Sequence, residues 1–252
     1  MLDRLQALEI GGGRVIQQEG ASRLCIPAVG KGYANAQLDD YRALPRRDLR
    51  WRPPFSLRLR ARVNTSAPLG TLGFGLWNDP FSISLGQGGA ARRLPAAPQA
   101  AWFFYGSPPN DLSLGGDRGG AGWLAMAMRS RRIPAPLLAP AALTAWLLAL
   151  IPPLRRPLFW LIETGATVRT RPLNIPLDSW HNYRLTWSQE AVEFRVDGEM
   201  VFRSPISPRP PLGLVLWIDN QYLCASPASG LRFGTLPTSQ EQCLELDQLS
   251  VE

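Results

Sequence analysis

Nine residues set the terms for the whole chain. In Phe55-Ser-Leu-Arg-Leu-Arg-Ala-Arg-Val63, five apolar residues (Phe55, Leu57, Leu59, Ala61, Val63) alternate without a break with Ser56, Arg58, Arg60 and Arg62. Successive side chains of a strand point to opposite faces, so this run buries one face and gives the other, basic one to water. A sheet covered on one face only is antiparallel as a rule, and its buried face needs a second layer. The same period returns in Trp180-His-Asn-Tyr-Arg-Leu-Thr-Trp187, in Val192-Glu-Phe-Arg-Val196 and in the closing residues 243–251. Between the first two of these and residues 199–203, Asp197-Gly198 is the dipeptide of a tight hairpin turn, since glycine accepts positive φ. Shorter strands are expected at 14–18, 22–26, 81–85 and 231–233. The fold class is therefore all-β, a two-sheet antiparallel sandwich.

Two further strands share a pattern. In Pro68-Leu-Gly-Thr-Leu-Gly-Phe-Gly-Leu-Trp-Asn-Asp-Pro80, Leu72, Phe74 and Leu76 fall on one face and Gly73, Gly75, Trp77 and Asp79 on the other. Leu212-Gly-Leu-Val-Leu-Trp-Ile-Asp-Asn220 repeats it, with Gly213, Val215, Trp217 and Asp219 opposite the leucines. The first set is a core face. The second is floored with glycine and ends in Trp-x-Asp, as expected of a surface that something else approaches closely. Ala101-Trp-Phe-Phe-Tyr-Gly106 is bulky on both faces, Trp102 and Phe104 on one, Phe103 and Tyr105 on the other, which suits a central strand.

These strands predict a concave aromatic cleft lined by Trp77, Asn78, Trp102, Phe104, Trp217 and Asn220, with Asp39 and Tyr41 at its edge. A carboxylate beside aromatic walls is poorly solvated and its pKa rises, so Asp79 and Asp219 are the candidate acid/base residues. The plainer alternative is that each aspartate ends a strand and bonds turn amides, and that Asp39, Asp40 and Tyr41 are turn residues beside a strand.

Residues 123–162 break the pattern. Leu137-Leu-Ala-Pro-Ala-Ala-Leu-Thr-Ala-Trp-Leu-Leu-Ala-Leu-Ile151 carries no charge, is apolar around most of a helical circumference, and is too short for the ~20 residues that span a bilayer. Such a helix is buried in protein or lies against lipid. The segment is read as a mainly helical insertion in a single domain over 1–252. It either closes the sandwich or forms a lid that brings Trp146 to the cleft; an interfacial anchor, its arginines meeting lipid head groups, is the third reading.

Charge and cysteines narrow the rest. The net charge of +7 is almost wholly arginine, with Lys31 the single lysine, and the arginine pairs are dispersed without a nucleic-acid motif. Nucleic acid is not an expected partner. Cys25, Cys224 and Cys243 lack metal-ligand spacing and read as free thiols in a reducing, cytoplasmic setting. No metal or cofactor is expected, although folds of this kind leave room for a structural calcium held by backbone oxygens. His181, the lone histidine, reads as a strand residue rather than a base.

Trp180-His-Asn-Tyr-Arg-Leu-Thr-Trp-Ser, followed by Val192-Glu-Phe-Arg-Val-Asp-Gly-Glu, resembles the hairpin of the concanavalin A-like lectin and glucanase superfamily, most closely its laminarinase-like glycoside hydrolases of family 16. The resemblance implies a jelly roll with aromatic residues on its concave face. Active members carry Glu-x-Asp-x-x-Glu or Glu-x-Asp-x-Glu in mid-chain, and this sequence has neither. Glu245-Leu-Asp247 is a partial echo in the last strand, so the family's catalytic residues are not carried over. The resulting expectation is a cleft that binds a largely apolar or amphipathic small molecule, with its transformation by acid/base chemistry left open. The alternatives are a lectin-like or divergent glycosidase protein with a glycan ligand, and a peripheral membrane module. Oligomeric state is left open.

Overall fold

The computed structural model describes residues 4–80, 96–112 and 121–252. In chain order these form β1 (Gln6–Ile10), β2 (Arg14–Gln18), β3 (Ala21–Ile26), β4 (Asn35–Asp39), β5 (Phe55–Val63), β6 (Thr71–Trp77), β7 (Gln99–Gly106) and β8 (Gly122–Ser130). Helices α1 (Ala135–Ala149) and α2 (Pro152–Gly165) follow. Then come β9 (Ala166–Pro172), β10 (His181–Trp187), β11 (Val192–Val196), β12 (Glu199–Ser204), β13 (Gly213–Asp219), β14 (Gln221–Ser226), β15 (Gly230–Thr235) and β16 (Gln242–Val251). The strand expected at 81–85 lies outside the described residues.

Two seven-stranded sheets face each other. The first runs β1-β4-β13-β6-β7-β8-β9, the second β12-β11-β10-β5-β16-β3-β2, and β14-β15 form a separate hairpin. Every pairing among these strands is antiparallel. The core between the sheets is made by the alternating sets: Phe55, Leu57 and Leu59 of β5, Leu72, Phe74 and Leu76 of β6, and Leu214, Leu216 and Ile218 of β13. Phe74 and Phe103 meet Tyr183 from the opposite sheet, each with ring centroids 5.0 Å apart. The other face of β5 is solvated. There Arg62 pairs with Glu245 at 2.6 Å and Arg60 with Asp247 at 3.4 Å, so the partial echo of the family 16 motif serves a cross-strand ion-pair ladder.

The hairpin that carried the resemblance is built by its turn. Asp197 and Gly198 both take positive φ, and the Asp197 carboxylate reaches His181 Nδ1 at 2.6 Å and accepts the Asn182 amide at 2.8 Å. Burial pushes the Asp197 carboxyl up, but these bonds outweigh it and hold the group below its ordinary value.

The cysteine expectation is corrected. Cys25 and Cys243 stand opposite each other on β3 and β16 and form a disulfide, leaving Cys224 as a free, buried thiol. The helical insertion occupies 135–165, later than the expected 123–162: the opening residues of that stretch are built into the sheet as β8, and α2 runs three residues past its end. That strand was hidden because it is covered on both sides: Trp123, Ala125 and Ala127 face the core, while Leu124 and Met126 join the outer aromatic layer. Such a run shows no alternation of polarity.

Candidate functional site

Strands β6 and β13 are neighbours, with Gly213 opposite Trp77, Trp217 opposite Gly73 and Asp219 opposite Thr71. Strand β7 adds Trp102 beside Gly75 and Phe104 beside Gly73. The expected aromatic set therefore shares one face, the outer face of the first sheet. Trp102 joins the two ends, 5.6 Å from Trp77 and 5.5 Å from Trp217 between ring centroids. Tyr41 stands edge-on to Trp77 at 6.1 Å, and Phe104 lies 6.1 Å from Trp217.

The antiparallel pairing sends the two Trp-x-Asp ends in opposite directions. Strand β6 runs six residues from Thr71, the partner of Asp219, to Trp77, or ~20 Å at about 3.3 Å per residue, and Asp79 lies two residues beyond that end. Carboxylates that cooperate on a glycosidic bond stand roughly 5–9.5 Å apart. A joint acid/base role for Asp79 and Asp219 at one bond is thus excluded by register.

What approaches the glycine floor is the chain's own aromatic rings. A Cβ on Gly73 would lie 2.8 Å from the Trp217 ring, and one on Gly213 would lie 2.4 Å from the Tyr41 ring. Trp217 is 8% exposed and Tyr41 2%, and Phe104 is equally enclosed. Trp77 and Trp102 remain half-buried, bordered by Leu112, Met128 and Val168. The predicted cleft is a packed aromatic layer whose accessible part is these two indoles.

At the Trp217 end a short relay closes the surface. Trp217 Nε1 donates to Thr71 Oγ1 at 3.0 Å, and that hydroxyl donates to Asp219 Oδ1 at 2.8 Å. The Gln221 amide donates to the same oxygen at 3.0 Å. Burial pushes the Asp219 carboxyl up to about 6, against the lowering effect of these donors. The neighbouring Tyr33 hydroxyl is also raised, by its own burial and then by the Asp219 charge. Thr71 and Tyr33 were missed in the sequence, because the first is recognised only through its cross-strand partner and the second through a loop contact.

At the Trp77 end the backbone is clamped. Arg46 donates through Nε to the Asn78 carbonyl at 2.8 Å and through Nη2 to the Asp79 carbonyl at 2.6 Å. Asp79 takes φ 47°, a left-handed conformation tolerated by aspartate. The Asn78 side chain bonds the Ala97 carbonyl and the Gln99 amide, both at 2.9 Å. Asn220 is similarly occupied: it accepts from the Ala34 amide and donates to the Gly32 and Leu236 carbonyls, all at 2.9 Å. Asp39 is fully buried and bonds Gln37 at 2.8 Å and the Arg42 amide at 3.0 Å, in addition to an ion pair with the Arg42 guanidinium. For Asn78, Asn220 and Asp39 the structural role of ending or bracing a strand accounts for the polar atoms.

No protein-family model and no curated protein matches the chain. Among solved structures, the kappa-carrageenase of Zobellia galactanivorans superposes with a TM-score of 0.52 at 12% identity, covering 94% of this chain and 80% of that one. A functionally unknown protein from Saccharomyces cerevisiae covers 100% of this chain and 97% of its own at 9% identity, with a TM-score of 0.45. A GlcNAcα1-4Gal-releasing endo-β-galactosidase from Clostridium perfringens is matched over 97% of this chain at 12% identity and a TM-score of 0.44, and the chain spans 58% of that enzyme. The fold is a two-sheet antiparallel jelly-roll sandwich.

Other features of the jelly roll fall outside the aromatic layer. Trp146 is 40% exposed on α1 and does not join the layer, since the helices pack near β9 and β15. The cluster Cys25, Glu241 and Cys243 has the proximity of a metal site. Its two sulfurs are bonded to each other and its carboxylate is held by Arg14, so its donors do not fit an ion. A cleft of about 570 Å³ lies on the outer face of the second sheet, lined by Arg58, Arg184, Arg195 and Glu193 among others.

Proposed function

We propose that this jelly roll binds carbohydrate, stacking a sugar ring on the half-buried pair Trp77 and Trp102. The observation that carries the reading is the contrast within one aromatic layer, where Tyr41, Phe104 and Trp217 are enclosed and these two indoles are left accessible. Indole faces suit the apolar C–H faces of sugars, and a rigid platform costs little ordering entropy on binding. A kappa-carrageenase of the same fold supports a saccharide ligand. The separation of Asp79 from Asp219 and the missing family 16 motif favour binding over hydrolysis by a carboxylate pair. The Cys25–Cys243 disulfide supports an oxidising compartment as its place of work.

A glycan array followed by calorimetry tests the reading. Trp77→Ala and Trp102→Ala are each expected to weaken binding of the best glycan by roughly tenfold or more, with the unfolding transition still cooperative. A wild-type protein that binds no glycan on the array would sink it. A second reading, an apolar or amphipathic small molecule, rests on the apolar border formed by Leu112, Met128 and Val168. Binding of a solvatochromic dye that is lost in the same two variants would favour it over the saccharide.

A further inference from the structure

The two helices leave far more apolar surface in the open than the rest of the molecule. Leu137, Leu143, Leu147, Trp160 and Leu161 are 49–67% exposed, and Leu150 to Leu154 form an unbroken exposed apolar connection between the helices. A run of this kind on a water-facing surface is costly unless something covers it. The pair is a hairpin, since the Arg131 amide bonds the Gly165 carbonyl at 2.8 Å where α1 begins and α2 ends. Its inner side is fixed to the protein. Leu158, Phe159 and Ala149 are buried, and Arg155 donates to the Ala149 carbonyl at 2.8 Å and toward the Ala228 carbonyl in the β14–β15 turn at 3.4 Å. A helix that is apolar all round thus has one side docked on protein and the other bare.

Charge identifies what covers the bare side. Residues 129–171 contain seven arginines and one glutamate, a net +6 of the chain's +7. Arg129, Arg131 and Arg132 stand before the base of the hairpin, Arg155 and Arg156 follow its tip, and Arg169 and Arg171 lie on the adjoining β9; all but the half-buried Arg155 are exposed. None of these arginines has an acidic partner among the described residues, whereas those on the outer face of the second sheet are mostly paired with carboxylates. An apolar plate ringed by unpaired cations matches the interface of an anionic bilayer, where acyl chains meet leucine and tryptophan and phosphate meets guanidinium. No helix among the described residues is long and apolar enough to cross a membrane. We infer that the α1–α2 hairpin docks the protein onto the surface of an anionic lipid bilayer, lying in the interface with its bare side toward the acyl chains.

Co-sedimentation with vesicles of phosphatidylcholine, with and without phosphatidylglycerol, tests this on the whole chain. The wild type is expected to pellet with the anionic vesicles and much less with the neutral ones. Trp160→Ser with Leu161→Ser should abolish pelleting, and Arg131→Gln with Arg132→Gln should weaken it roughly 25-fold. All four side chains are exposed, so cooperative unfolding and glycan binding should be unchanged, which separates this inference from the saccharide reading. Quenching of wild-type tryptophan fluorescence by brominated lipid gives a readout that needs no variant. Failure to pellet with anionic vesicles overturns the inference, as does pelleting that the helix substitutions leave intact. Dimerisation in analytical ultracentrifugation that Trp160→Ser with Leu161→Ser abolishes, with the protein left in the vesicle supernatant, would assign the hairpin to a second copy of the chain instead.

Discussion

The chain contains two Trp-x-Asp strand ends on one face of one sheet, and they have opposite fates. Around Trp217 the surface is sealed: the indole lies on Gly73, its N–H is taken by Thr71, and Thr71 in turn holds Asp219. Around Trp77 the surface is open: the indole is half-buried, and Asp79 is held through its backbone by Arg46. The difference comes from the cross-strand partner. Asp219 faces a hydroxyl that links it to its own tryptophan, while Trp77 faces Gly213, whose missing side chain makes room for Tyr41. A repeated motif thus fixes which face a residue occupies and leaves its role to the neighbour across the sheet.

The largest effect that would break this contrast is in the tryptophans. Trp217→Ala should cost about 3–5 kcal/mol in urea unfolding, because it empties an enclosed volume. Trp77→Ala should cost about 1 kcal/mol, as its ring is part-hydrated already. Equal losses would show that the two ends are not sealed and open. Next, Gly73→Ala should destabilise by about 3 kcal/mol, because its Cβ would meet the Phe103 carbonyl oxygen at 2.3 Å and the Trp217 ring at 2.8 Å. A thermal midpoint close to that of wild type would mean that both the ring and the β7 backbone can give way.

Asp219 gives a smaller effect than Trp217 or Gly73 and reverses its sign. With a folded pKa raised from 3.8 to about 6, Asp219 binds its proton more tightly in the folded than in the unfolded chain. Its ionisation therefore costs stability, progressively between about pH 4 and 6 and fully above that, by up to about 3 kcal/mol. Asparagine keeps an oxygen for Thr71 and Gln221, so Asp219→Asn should stabilise by about 1–3 kcal/mol at about pH 8, a gain that fades below about pH 4. An Asp219→Asn variant that unfolds more easily at about pH 8 would show the carboxylate to be stabilising in its charged form.

How much of this was legible depends on whether a residue's surroundings are local. The strand faces of β5, β6, β7 and β13 follow from alternation alone, and Phe74 and Trp217 fall on the faces expected of them. Strand β8 was not legible, because the core covers one side and the aromatic layer the other, and neither was β9, whose Ala-Thr-Val-Arg-Thr-Arg run is polar and largely exposed at the sheet edge. The aromatic layer was read as a cleft because glycines opposite bulky residues mark close approach without saying what approaches. The disulfide was missed because its cysteines lie 218 positions apart in sequence, and only the pairing of β3 with β16 brings them together.

That link changes the connectivity of the molecule. Two strands from opposite ends of the sequence are joined within the second sheet, and nearly the whole fold, both helices and the aromatic layer included, lies on the loop between them. The polypeptide between the two sulfurs is thereby a closed ring. A backbone cut anywhere along that ring opens it without releasing a fragment, so the covalent integrity of the molecule no longer depends on any single peptide bond between its two sulfurs.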